Sequence, residues 1–148
     1  MKKQLLTSRT TSAIDAAVLI LRLMLGIWLF AHGAQKLFGI FGGKGIDAAL
    51  TGQAGVGIPN WLTYLSVYTE CFGGLMITFG FLTRIASAFM LINMLVAASM
   101  HLSKGFFAVE DPLSFAMMAL AILLIGPGVW SIDYLIFEKR ASGTTVLL

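Results

Sequence analysis

The stretch from Trp61 to Phe79, WLTYLSVYTECFGGLMITF, is long and apolar enough to cross a bilayer, yet Glu70 sits at its midpoint. An ionised side chain at the bilayer centre costs at least ~2.5–3.5 kcal/mol, so such a residue faces a protein interior and has partners there. Three other apolar stretches accompany this one, and the first carries Arg22, His32 and Lys36. The chain therefore reads as all-α, an integral membrane four-helix bundle with ionisable groups turned inward. A spanning helix needs about 20 mostly apolar residues, which places the spans at approximately 16–38, 61–79, 84–101 and 112–136 of a single membrane domain.

Composition supports that class. Of 148 residues, 58% are hydrophobic and 11% are charged, against about 25% charged in a typical soluble domain. Mean hydropathy is +0.90, which leaves too little polar surface to coat a water-soluble fold. The net charge of +3 does not indicate nucleic acid, because the basic residues form no stripe. Lys2, Lys3, Arg9, Lys139 and Arg140 lie at the two ends, where topology accounts for them.

Cys71 is the only cysteine, so neither an intrachain disulfide nor a CxxC pair can form, and it reads as a small apolar packing residue. No zinc-like cluster, Gly-rich phosphate loop or Gly-x-Ser-x-Gly elbow occurs, and no metal site is expected. The first span is too long for a cleaved leader and holds Arg22, which suits a retained anchor. In the last span, Pro112 suits a first-turn position, and Gly126-Pro127-Gly128 is expected to kink the helix.

Four spans put both termini and the 80–84 turn on one side. That side holds Lys2, Lys3, Arg9, Arg84, Lys139 and Arg140, and the positive-inside rule makes it cytoplasmic. The glycine-rich loop from Gly39 to Asn60 and the segment from Leu102 to Asp111 then face outward. Trp61, Tyr64, Trp130 and Tyr134 fall near span ends as interfacial anchors.

At 100° per residue, Arg22, Gly26, Leu29, Gly33 and Lys36 share one face of the first helix. Glu70, Gly73, Gly74 and Ile77 share a face of the second. Glycines let helices approach closely, so these faces are expected to meet. At ~1.5 Å per residue, Arg22 lies roughly 9 Å past Ala16, and Glu70 roughly 15 Å back from Gly80. An arginine can cover that difference, so an Arg22–Glu70 pair is expected, either as a functional polar centre or only to set helix register. Asp133 should meet Arg84 at the other boundary and tie the fourth helix to the 80–84 turn.

His32, Lys36 and His101 fall near the outer boundary, with Lys104, Glu110 and Asp111 at that level. Two histidines and a lysine there can bind an anion or exchange protons with a quinone, although Lys36 alone also fits interfacial snorkelling. A haem held between His32 and His101 has no other support in the sequence.

The motifs resemble the DoxX family of small bacterial four-helix membrane proteins. The matching stretches are Arg22-x-x-x-Gly26 through His32-Gly33-x-x-Lys36, Glu70-x-x-Gly73-Gly74 through Gly80-x-x-Thr83-Arg84, Ala97 to His101, and Gly126-Pro127-Gly128-x-x-Ser131-x-Asp133. Their order and spacing cover nearly everything after residue 15. The resemblance implies a bundle in the bacterial plasma membrane. Some relatives are subunits of thiosulfate:quinone oxidoreductases, and others associate with redox-protective enzymes. The expected function is a membrane redox component that handles a quinone or a small sulfur anion with a protein partner or as a homo-oligomer. Glu70, His32 and His101 are its candidate catalytic residues, and Arg22 and Lys36 its candidate cofactor-binding residues. The alternative is a non-catalytic scaffold whose buried charges only specify packing.

Overall fold

The computed structural model describes residues 2–102 and 105–138, with side chains from Thr11 to Leu102 and from Gly105 to Phe137. The side chains of Lys2, Lys3, Arg9, Lys104, Lys139 and Arg140, which enter the charge argument, lie outside the described residues. The elements are α1 (Lys2–Phe38), α2 (Ile46–Ala54), α3 (Asn60–Tyr68), a π turn (Thr69–Gly73), α4 (Gly74–Phe79), α5 (Thr83–His101), α6 (Phe106–Ile125) and a second π turn (Tyr134–Glu138). Residues 11–38 of α1, together with α5 and α6, are each long and apolar enough to cross a membrane. α3, the first π turn and α4 follow one another without a break, and at ~1.5 Å per residue this rod covers about 30 Å, the thickness of a hydrocarbon core. It is the fourth span.

The distribution of polarity is that of a membrane protein. Ile20, Phe89, Ile92 and Leu124 are exposed on the outside of the bundle, while Arg22, Glu70, Thr83 and Ser131 are buried within it. Leu25, Leu29, Ile77, Met90, Ala116 and Ile122 form the apolar core between them.

α1 and the 60–79 rod cross antiparallel through their glycines, as their shared faces predict. A Cβ added to Gly74 would lie 2.6 Å from the Phe30 nitrogen and 2.7 Å from the Gly26 carbonyl oxygen. One added to Gly33 would collide with the backbone of Cys71. Such close approach replaces the hydrophobic driving force that lipid does not supply between helices. The register brings Arg22 level with Ile77 and Thr78, and Gly33 level with Cys71.

Three local expectations are corrected. The Gly39–Asn60 connection is not all loop, because it contains α2. The last long helix begins at Phe106, after Gly105 at φ 97°, so Pro112 lies inside α6 and not in its first turn. Its missing N–H leaves the Ala108 carbonyl without the usual partner. Gly126-Pro127-Gly128 ends α6 outright, with Gly126 at φ 102° and Gly128 at φ 72°.

Candidate functional site

The ends of the bundle carry different polar constructions. At the hairpin end, where Gly80–Leu82 joins α4 to α5, Arg22 is 1% exposed and donates to four carbonyls. Its Nε reaches Ile77 O at 3.0 Å, Nη2 reaches Thr78 O at 3.0 Å, and Nη1 reaches Pro127 O at 2.7 Å and Trp130 O at 2.9 Å. Ile77 and Thr78 belong to the last turn of α4, whose carbonyls form the negative end of the helix dipole. The expected Arg22–Glu70 pair is therefore absent. Counting residues from Ala16 and Gly80 treats those two as level, whereas Arg22 itself stands beside the hairpin turn.

Asp133 completes this end. Its carboxylate accepts from Leu82 N at 2.7 Å, from Thr83 N at 2.8 Å and from Thr83 Oγ1 at 2.7 Å, while its own N–H donates to Gly80 O at 2.8 Å. A carboxylate on the first amides of α5 serves as its N-cap. These bonds offset the left-handed backbone of Leu82, φ 45°. Asp133 does tie the segment after α6 to the 80–84 turn, but through the amides of Leu82 and Thr83 and the Thr83 hydroxyl. Arg84 instead lies along Gly126, where an added Cβ would come 3.2 Å from its Nη2.

At the opposite end, which we term the cavity end, Glu70 meets Lys36. Lys36 Nζ stands 2.7 Å from Oε1 and 2.6 Å from Oε2 of Glu70. The glutamate is 4% exposed in its side chain and the lysine 37%, so the pair has a buried and an open side. Glu70 lies in the first π turn, a widened geometry that recurs at functional positions in helices.

His32, Lys36, Glu70, His101 and Asp111 share the lining of one cavity of about 340 Å³, with Leu29, Met94, Phe107 and Phe115 supplying apolar surface. His101 Nδ1 lies 2.8 Å from the Ala97 carbonyl. A carbonyl only accepts, so Nδ1 carries the proton and neutral His101 keeps its lone pair on Nε2. The His32 ring meets Phe115 edge-on at 6.4 Å.

The structure thus gathers four of the five candidates, His32, Lys36, Glu70 and His101, and leaves Arg22 at the other end. The sequence marks Asp111 only as a charge at that level, and it gives no sign of Phe107 and Phe115. Nothing in an apolar run separates an aromatic facing a cavity from one facing lipid. Among the described residues, no three His, Cys, Asp or Glu side chains converge as a metal would require.

The DoxX family model matches residues 17–110. "Inner membrane protein YqjF" of Escherichia coli strain K12 is 31% identical over 132 residues, covering 84% of this chain and 95% of that protein. "Putative oxidoreductase CatD" of Bacillus subtilis strain 168 is 23% identical over 133 residues, covering 88% and 95%. Solved structures offer no significant match. With a family model matching well over half its length and an all-α membrane bundle to go with it, the chain belongs to the DoxX family.

Proposed function

We propose that the chain is a membrane redox component of the bacterial plasma membrane whose cavity receives the headgroup of a quinone. The observation that carries this reading is the convergence of His32, Lys36, Glu70, His101 and Asp111 on one partly apolar cavity. A quinone ring needs this combination of a flat apolar surface with proton donors and acceptors at its edge. A small sulfur anion fits less well, because Glu70 already neutralises Lys36. The name of the B. subtilis relative, an oxidoreductase, agrees with redox work, and that of the E. coli relative agrees with the location.

A bound quinone would supply a two-electron, two-proton couple. The residues of this chain would orient it and move the protons. Phe107 and Phe115 would offer the ring apolar surface, and Lys36 would donate to it when it turns from Glu70. His101, with Nδ1–H held by Ala97, would pass protons through Nε2. The electrons would come from a donor on a partner subunit. The same reading places both termini in the cytoplasm and the cavity end outside.

Saturable binding of a quinone to purified protein tests the proposal. We expect His101→Ala and Glu70→Gln each to weaken it by roughly tenfold, the worth of one charged or well-placed hydrogen bond. If the wild-type protein shows no saturable binding and no change in thermal stability with quinone, the cavity charges serve packing and the chain is a scaffold.

A further inference from the structure

Lys36, Glu70, Ala97 and His101 line two cavities at once. Beside the one described is a second, of about 390 Å³, which continues along α5 between α5 and the start of the 60–79 rod. Its walls differ in chemistry along their length. The ionisable groups, Lys36, Glu70 and His101, all lie where it meets the first cavity. The rest of the lining is uncharged, with Leu62, Leu65, Phe89, Ile92 and Val96 among its large apolar side chains and Ser66, Thr69 and Asn93 between them. Leu65, Phe89, Ile92 and Val96 are each about half exposed on the outside of the bundle, at positions that face hydrocarbon in a membrane. The second cavity is therefore a groove open to the lipid, and the Lys36–Glu70 pair stands at its junction with the first.

We propose that this groove holds the isoprenoid tail of the quinone and is the lateral path by which the ring reaches its cavity from the bilayer. The inference rests on the quinone reading above. Three features carry it. The two cavities share four residues, so they adjoin side by side. The lining changes from ionisable at the junction to uncharged and mostly apolar beyond it, which suits a molecule with a polar ring and a hydrocarbon tail. At the junction Ala97 is the only shared side chain that is both small and uncharged, and Lys36, the longest, is 37% exposed in its side chain and ends on Glu70. A tail moving from lipid into the groove gains no hydrophobic free energy, since both are apolar. The groove's contribution is shape and access, and blocking it should act through overlap.

The test uses two probes with one headgroup: a tailless methoxylated benzoquinone, and the same ring carrying a decyl chain. Wild-type protein, Leu65→Trp and Val96→Trp are compared in nanodiscs of one lipid composition. Both substitutions replace half-exposed side chains on opposite walls, and folding is checked by thermal unfolding. We expect each variant to bind the decyl quinone about tenfold more weakly, the order of an overpacking penalty, and the tailless quinone within about twofold of wild type. Unchanged decyl-quinone affinity in both variants, with the wild type binding both probes, overturns the groove assignment and leaves the headgroup site standing. Equal weakening of both probes also overturns it, because the substitutions then act on the ring site. Failure of the wild type to bind either probe removes the headgroup site and the groove assignment together.

Discussion

Arg22 shows why single residues are the hardest part of this chain to infer. Its type and its place on the buried face are legible, but its partners are not, because backbone carbonyls leave no mark in a sequence. The planar guanidinium offers five donors in a fixed fork and uses four on separate carbonyls. Lysine carries three donors on one atom and cannot span the same acceptors. Arg22→Lys should therefore destabilise the fold by roughly 2–4 kcal/mol, the loss of one or two hydrogen bonds to a charged group. Thermal unfolding in detergent measures it, and a near-neutral result would remove the four-carbonyl socket as a stabilising feature. Glu70 is legible in the opposite sense. Its need for a cationic partner is clear and only the partner is misassigned, since Lys36 and Arg22 lie on one face of the same helix. Choosing between them requires the interhelical register, which close glycine contacts set and residue counting does not.

At the scale of elements, the glycine faces are the most readable feature. Periodicity alone places Gly26, Gly33 and Gly74 at the α1 crossing, and each is a position where a Cβ would strike the facing helix. Gly74→Val would drive its side chain against backbone atoms of Phe30 and Gly26, which cannot rotate away. A cost of about 1–3 kcal/mol is expected from overpacking. Gly52→Ala, in α2 with open space around it, should be neutral or slightly stabilising. Equal unfolding temperatures for the two variants would contradict the close crossing. The first π turn is not legible, since an inserted residue in a helix has no compositional signature. The sequence reading starts α6 too late because Glu110 and Asp111 resemble loop and Pro112 a first-turn residue. They are instead the early turns of a helix whose start is set by Gly105.

For the molecule as a whole, the bundle class follows from hydropathy and span length, which are averages over many residues and tolerate local error. Orientation is an expectation from charge alone and is open to a direct check. Lys44→Cys, near the cavity end, should react in spheroplasts with a maleimide that cannot cross membranes, whereas Ser12→Cys should not. The native Cys71 is buried and contributes little background. The reverse pattern would invert the topology and place the cavity on the cytoplasmic side.

The hairpin-end construction also imposes an order on biosynthesis. Arg22 leaves the ribosome before all four of its acceptors, and two of them, Ile77 and Thr78, follow at the end of the 60–79 rod. The other two, Pro127 and Trp130, emerge only after α6, as does Asp133, on which the start of α5 depends. Until then the nascent chain carries a guanidinium with half its socket and a helix without its cap. Residues that follow α6 thus close contacts that α1 and the hairpin begin.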